Sequence, residues 1–219
     1  MHKIVQNLIN IENELKSNLS DLNKINLPNI IAVSKTFKID KILPLIEHGH
    51  LNFGENKVQE AFDKWFEIKE KKPELKLHMI GKLQTNKVKL AVKIFDFIHS
   101  VDSKKLAKKI ADEQFKINKK IKIFIQVNIG DEGQKSGINK NELENLILYI
   151  KELNLDIKGL MCIPPIDVNP VNFFKEMNKI NKLYNFQDLS MGMSSDYLDA
   201  ARNYATYLRI GSSIFGQRT

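Results

Sequence analysis

Residues 121–164 read IKIFIQVNIGDEGQKSGINKNELENLILYIKELNLDIKGLMCIP and contain one complete strand–helix–strand unit. The apolar runs at 121–129 and 157–164 are short and rich in aliphatic side chains, which predicts two buried strands. Between them, residues 141–153 carry apolar side chains at helical spacing, which predicts an amphipathic helix. Strands joined by a helical crossover run parallel in one sheet. The stretch therefore predicts an α/β fold built from repeated units of this kind.

The same alternation extends over the rest of the chain. Eight strands separated by helices close into a barrel more naturally than they stay open, so we predict an α/β fold: one domain over residues 1–219, a single (β/α)8 TIM-type barrel with an extra N-terminal helix. An open doubly wound sheet is the alternative, but its first strand is usually followed by a glycine-rich turn, and SKTFKID (34–40) has no glycine. The six other strands are predicted at NIIAVSK (29–35), HLNFGEN (50–56), KLHMIG (76–81), DFIHSVD (96–102), DLSMGM (188–193) and YLRIGSSIF (207–215).

Several helices are marked by apolar spacing and by capping residues. Residues 57–72 and 104–115 each place their apolar side chains on one helical face. Ser103 and Asn139 stand at the N-cap positions of the helices that follow them. The N-terminal helix is predicted from the shared face of Ile4, Leu8, Ile11 and Leu15.

Composition excludes several classes of protein. The formal charge is +8, but 31 of the 34 basic residues are lysines spread over nearly every predicted helix, so we expect no nucleic-acid partner. The sequence contains no run of about 18 apolar residues, so no membrane span is predicted. A single cysteine, Cys162, allows no internal disulfide, and we expect a cytoplasmic protein. The five histidines are scattered without metal-ligand spacing, so no metal site is predicted, and His78 is expected in the core.

Two basic residues stand out against this background. Lys35 ends the apolar strand IIAVSK, which predicts a partly desolvated amine at the barrel rim. Desolvation favours the neutral amine, the form that attacks an aldehyde to give a Schiff base, although a strand-end lysine can equally reach into solvent. Arg209 lies inside the apolar strand TYLRIGSSIF and needs a partner or a ligand. One such use is to face the ring nitrogen of pyridoxal 5′-phosphate, and the alternative is an ion pair with an acidic side chain.

Small and hydroxyl residues follow the last two predicted strands. Barrels often hold phosphate at this place, which makes Gly211, Ser212 and Ser194 candidates, although Ser194 can also cap the helix after it. Asn56 ends the second strand and either reaches the barrel mouth or caps the next helix. Five residues of the third and fifth loops would make the rim polar and electropositive: Lys82, Gln84, Asn86, Lys87 and Lys135.

Six stretches together resemble the single-domain pyridoxal phosphate homeostasis proteins, a family similar to the barrel domain of bacterial alanine racemases. The resemblance begins near residue 30 and departs from the family pattern at Lys57 and at 202–204. The stretches are AVSKT (32–36), FGEN (53–56), HMIGKLQTNK (78–87), GLMCIP (159–164), SMGMSSD (190–196) and RIGSSIFGQR (209–218).

The resemblance implies a cofactor and a role for each candidate residue. Lys35 would form the Schiff base with pyridoxal 5′-phosphate, and Arg209 would face its pyridine nitrogen. Asn56 would line the ring edge. The cofactor's phosphate would be held by Ser194, Gly211 and Ser212.

The same resemblance favours a cofactor carrier over an enzyme. A racemase needs a second base opposite the lysine, supplied in the racemases by a second domain, and the five tyrosines offer no evident substitute, with Tyr197 nearest the rim. We therefore expect a monomeric protein of intracellular pyridoxal phosphate homeostasis, with no catalytic residue and with apo-enzymes as recipients. The alternatives are a small racemase dependent on pyridoxal phosphate and a basic interaction protein without a cofactor.

Overall fold

The computed structural model describes residues 1–20, 27–133 and 136–217 and contains a closed barrel of eight parallel strands. Each strand pairs with its neighbours in chain order, and β8 returns to pair with β1, placing Arg209 beside Ile31. Closure confirms the predicted barrel and rules out the open sheet. The strands are β1 Asn29–Val33, β2 Asn52–Glu55, β3 Lys76–Met79, β4 Phe97–Val101, β5 Lys122–Gln126, β6 Asp156–Met161, β7 Asp188–Ser190 and β8 Tyr207–Ile210.

Helices surround the barrel and separate successive strands. A short 3-10 turn at Thr85–Lys87 precedes α4. Ser103 caps α5 by accepting a hydrogen bond from Leu106 N, whereas Asn139 holds the N-cap position of α6 without a side-chain bond. The helices are α1 Lys3–Ser20, α2 Ile39–Glu47, α3 Val58–Lys71, α4 Val88–Ile94, α5 Lys104–Lys116, α6 Lys140–Glu152, α7 Val171–Leu183, α8 Tyr197–Arg202 and α9 Ser212–Phe215.

The extra N-terminal helix packs where the barrel closes. The predicted apolar face of α1 is buried, and the helix contacts α8 and α9. Asn7 Nδ2 donates to Ile214 O at 2.9 Å, and Tyr197 Oη donates to Glu14. Helix α1 thereby holds the two short helices that flank β8. Across the described ranges, no helix is both long enough and apolar enough to cross a membrane.

The predicted eighth strand is too long. The strand ends at Ile210, and residues 212–215 form α9, so the prediction of strand up to residue 215 is wrong. The apolar pattern misleads here because Ile214 and Phe215 are buried in the helix just as they would be in a strand. The carbonyl of Gly211 accepts from Ile214 N and Phe215 N, which closes the helical turn. The chain thus turns sharply at the rim, immediately after Ile210.

A chain of polar side chains runs through the barrel interior. His78 Nδ1 lies 3.0 Å from His99 Nε2, and His99 Nδ1 lies 2.8 Å from Ser190 Oγ. Both histidines are fully buried, which confirms the expected core location of His78. Burial lowers the pKa of His78 to about 3 and holds the pKa of His99 well below its usual value. His50, near the start of β2, has its pKa lowered to about 4, again chiefly by burial.

These buried histidines make the fold sensitive to mild acid. The unfolded chain binds protons at histidine near pH 6.5 while the folded protein does not, so stability falls as the pH drops below 6.5. Between pH 7.5 and pH 5.0 we expect a loss of about 2 kcal/mol in the free energy of unfolding for each buried histidine, measured by urea denaturation. An unfolding free energy that is flat over this range would contradict the neutral buried state.

Candidate functional site

The carboxyl ends of the strands surround a cavity of about 950 Å³. All six predicted cofactor-binding residues line it, although they come from four different strands or the loops after them. Parallel strands in a closed barrel bring their carboxyl ends to one rim, which explains this convergence. The six residues are Lys35, Asn56, Ser194, Arg209, Gly211 and Ser212.

Lys35 follows β1 and is partly buried at the cavity wall. The preceding residue, Ser34, points to the opposite face and donates to Glu55 Oε1 at 2.7 Å. Lys64 Nζ bonds both the same carboxylate oxygen at 3.0 Å and the carbonyl of Ser34 at 3.1 Å. Trp65 Nε1 adds a third donor to Glu55. This buried cluster fixes the backbone behind Lys35, and strand alternation then directs the lysine into the cavity.

Asn56 lines the cavity and does not cap a helix. Helix α3 begins at Val58 with Lys57 at its N-cap, so the alternative role of Asn56 as a cap is wrong. The Oδ1 atom of Asn56 is buried and has no hydrogen-bond partner among the described residues. Gly81 packs against its backbone so closely that a Cβ at Gly81 would lie 2.5 Å from Asn56 O. The structure therefore offers an unsatisfied acceptor at the cavity wall.

Arg209 is 4 % exposed and is held by neutral groups. Its Nη1 donates to Ser190 Oγ at 2.8 Å and its Nη2 donates to Cys162 O at 2.9 Å. Within the described part of the chain it forms no ion pair, so the alternative of an acidic partner is wrong there. Burial lowers the pKa of Arg209 from its ordinary value, yet a guanidinium stays charged in proteins. Among the described residues, the cavity therefore contains a buried cation with no carboxylate in direct contact, although the nearby charge of Asp196 favours its charged form.

The loops after β7 and β8 meet around one hydroxyl. Ser194 Oγ accepts from Gly211 N at 3.2 Å and from Ser213 N at 3.3 Å. Its other expected role, capping α8, is wrong, because Asp196 holds the N-cap position. Gly192 makes the approach possible, since its φ of 91° is left-handed and a Cβ there would lie 2.5 Å from Ala200 Cβ. We call Ser194, Gly211, Ser212 and Ser213 the hydroxyl cradle.

The charges around the cavity favour an anion. Of the described residues that line it, three are basic (Lys35, Lys82 and Arg209) and none is acidic. The other predicted rim residues do not all contribute. Lys87 is exposed in the 3-10 turn away from the cavity lining, and Lys135 lies outside the described residues. Gln84 and Asn86 are exposed as well and do not line the cavity.

Sequence reasoning missed polar residues at the end of β5. Gln126 and Asn128 both line the cavity. Gln126 Nε2 donates to Ser136 O, and the amide of Asn128 bonds both backbone groups of Glu132. Their signal was present in the sequence, because two amides interrupt the late half of the otherwise apolar run at 121–129.

Comparison with known proteins gives consistent similarities. The profile of the alanine racemase N-terminal domain matches residues 12–219. The pyridoxal phosphate homeostasis protein of Pasteurella multocida is 34% identical, with 98% of this chain and 97% of that protein aligned. The structure of PipY from Synechococcus elongatus with PLP bound is 32% identical with a TM-score of 0.80, covering 92% of this chain and 100% of PipY. An alanine racemase of Clostridium difficile shares the fold alone, at 16% identity and a TM-score of 0.71, covering 99% of this chain and 57% of the racemase chain.

The unsatisfied amide oxygen of Asn56 leads to a test in the ligand-free protein. An unsatisfied buried acceptor costs about 1–3 kcal/mol, so Asn56→Leu should raise the free energy of unfolding by about 1 kcal/mol. Asn128→Leu is the matched control, because that amide has two partners and its loss should destabilise the protein. Urea denaturation measures both variants. Equal losses of stability in the two variants would show that Asn56 is already satisfied.

Proposed function

Because the chain belongs to the family of pyridoxal phosphate homeostasis proteins, we propose that its cavity binds pyridoxal 5′-phosphate through a Schiff base on Lys35 and that the protein carries this cofactor. The convergence of Lys35, Arg209 and the hydroxyl cradle on one cavity supports the proposal most directly. We further infer that residues 1–219 act as one domain, that the protein works in the cytoplasm, and that it is a monomer.

The residues present fit the cofactor. In the hydroxyl cradle the N–H groups of Gly211 and Ser213 donate to Ser194 Oγ, so the hydroxyls of Ser194, Ser212 and Ser213 would donate to a phosphate group, and the basic lining would offset its charge. Arg209 supplies a donor for the pyridine nitrogen. The unpaired Oδ1 of Asn56 supplies an acceptor at the wall, which a donor on the ring edge would satisfy. Lys35 lies among these groups and supplies the amine.

The chain's own residues then determine what the bound cofactor does. Pyridoxal phosphate supplies an aldehyde that reacts with an amine and a ring that withdraws electrons. Lys35 would hold the cofactor through its amine, which would have to be neutral to condense with the aldehyde and release water. Arg209 stays protonated and would donate to the pyridine nitrogen, which would leave that nitrogen unprotonated. An unprotonated ring withdraws electrons weakly, which suits binding more than turnover.

The lining of the cavity also favours a carrier. Racemisation needs a second base opposite Lys35, and among the described lining residues there is no tyrosine, histidine, cysteine or carboxylate. Tyr197, the tyrosine expected nearest the rim, donates to Glu14 on α1 instead. Tyr207 packs among the rings of His78 and Phe97 inside the barrel. Apo-enzymes dependent on pyridoxal phosphate would be the recipients of the cofactor.

Borohydride reduction tests the site. We expect protein mixed with pyridoxal 5′-phosphate and then reduced to carry a phosphopyridoxyl group on Lys35, identified by peptide mass mapping. The visible band of the imine should be absent in Lys35→Ala, because the amine that forms it is gone.

Lys82→Ala is the matched control, since Lys82 also lines the cavity but lies on its exposed rim. This variant should keep both the band and the adduct. Labelling that is unchanged in Lys35→Ala, or that is spread over many lysines, would contradict the assignment.

A second experiment distinguishes a carrier from a small racemase, an alternative suggested by the fold that this chain shares with a racemase. The loaded protein is incubated with L-alanine in deuterium oxide, and the α-proton is followed by NMR. Because a ring nitrogen left unprotonated beside Arg209 would withdraw electrons weakly, we expect exchange no faster than with free pyridoxal phosphate. Steady exchange that disappears in Lys35→Ala would instead establish an enzyme, and its loss in Lys82→Ala would identify the second base.

A further inference from the structure

We propose that Ser190, His99 and His78 form a one-directional hydrogen-bond relay that holds the Arg209 guanidinium charged and oriented toward the ring nitrogen of the bound cofactor. The inference rests on the proposed function, because it concerns how this chain presents Arg209 to pyridoxal phosphate. The relay consists of Arg209, Ser190, His99, His78 and Asn52, which come from five positions on β8, β7, β4, β3 and β2.

The two ends of the relay fix the direction of every hydrogen bond in it. Arg209 can only donate, so Ser190 Oγ accepts from Nη1 at 2.8 Å. At the far end, Asn52 Oδ1 can only accept, so His78 Nε2, 3.1 Å away, carries a proton. A neutral His78 then has a bare Nδ1, which accepts from His99 Nε2. His99 Nδ1 is bare in turn and accepts the hydroxyl proton of Ser190.

Only one arrangement of protons satisfies all four bonds with both rings neutral. Each histidine carries its proton on Nε2, and each N–H or O–H in the relay points away from Arg209. The negative ends of these dipoles therefore face the guanidinium and stabilise its charge through direct contact, whereas Asp196 acts on it only as a nearby charge. A second acceptor, the carbonyl of Cys162, holds Nη2, so the plane of the guanidinium is fixed by two bonds.

The surroundings keep the relay neutral and rigid. The basic groups that act on His78 are His50, Lys69 and Lys122, and all of them oppose a second proton on its ring. Arg209 itself opposes protonation of His99.

Aromatic rings also hold the two imidazoles in place. His78 stacks on Phe97 and His99 stacks on Phe124, each with ring centroids 4.3 Å apart. A flip of either ring would put Cδ2 in the place of Nδ1 and Cε1 in the place of Nε2, and so break two bonds of the relay at once.

A carboxylate in place of Ser190 would stabilise the same guanidinium, but with a different effect on the cofactor. It would bring a negative charge close to the ring nitrogen and favour its protonation. A relay of neutral dipoles orients and stabilises Arg209 without adding that charge. The relay residues are therefore positioning residues, since they act on the cofactor only through Arg209.

The first test uses the protein without cofactor. In uniformly 15N-labelled protein, both His78 and His99 should show a pyrrole-like Nε2 and a pyridine-like Nδ1, unchanged from pH 5.5 to pH 9. A proton on Nδ1 of either ring, or a titration within this range, would overturn the relay. Because this readout needs no cofactor, it remains decisive even if Lys35 forms no adduct.

The second test uses Ser190→Ala with pyridoxal phosphate labelled with 15N in its ring. Loss of one bond to a charged group should weaken cofactor binding on the order of tenfold and move the ring-nitrogen chemical shift away from that in the wild-type complex. Ser190→Thr, which keeps a hydroxyl, should restore the wild-type shift. Ser100→Ala is the matched control, because Ser100 Oγ is buried with no hydrogen-bond partner in the described part of the chain, one residue beyond His99 and outside the relay.

The outcomes distinguish a role of Ser190 in positioning Arg209 from a role in packing alone. A ring-nitrogen shift in Ser190→Ala equal to that of wild type and of Ser100→Ala would refute the relay, while an intact Lys35 adduct would leave the proposed function standing. If Ser190→Ala does not fold, the histidine spectra of the wild-type protein decide the question alone.

Discussion

A buried guanidinium with no carboxylate in direct contact among the described residues is the constraint on which the interior of this protein depends. Arg209 is enclosed at the mouth of the barrel, and burying a charge requires that protein groups replace its water. The chain meets this requirement with a serine hydroxyl and a backbone carbonyl. The hydroxyl is in turn oriented by two buried histidines, so four strands of the barrel contribute to the environment of one side chain.

The closed barrel places the other site residues beside this buried guanidinium. Closure brings the ends of β1, β2, β7 and β8 to one rim, where Lys35, Asn56 and the hydroxyl cradle meet Arg209. Next to this rim, the buried hydrogen bonds of Ser34 and Lys64 to Glu55 fix the backbone that precedes Lys35. On the other side, α1 binds the carbonyl of Ile214 and so supports the short helix of the cradle. The site is thus built from parts far apart in sequence and supported by the layers around it.

Much of the fold and of the site could be predicted from the sequence, because the spacing of apolar residues indicates the strands and the place of a polar residue along a strand indicates whether it reaches the rim. Apolar periodicity predicts the eight strands, and the position of a polar residue at a strand end predicts that Lys35 and Asn56 reach the rim. The strand-to-helix change after Ile210 could not be predicted, since the same buried residues fit either structure. The partners of Arg209 could not be predicted either. They lie on other strands, and only the register of the closed barrel brings Ser190 and Cys162 beside it.

The central claim is that this cavity binds pyridoxal phosphate with Lys35 at the aldehyde carbon and Arg209 at the ring nitrogen. A crystal structure of the protein grown with the cofactor tests it most directly. We expect continuous density from Lys35 Nζ to the cofactor, a phosphate in the hydroxyl cradle, and the guanidinium of Arg209 within hydrogen-bond distance of the ring nitrogen. A cofactor attached to another lysine, or a ring whose nitrogen faces away from Arg209, would contradict it.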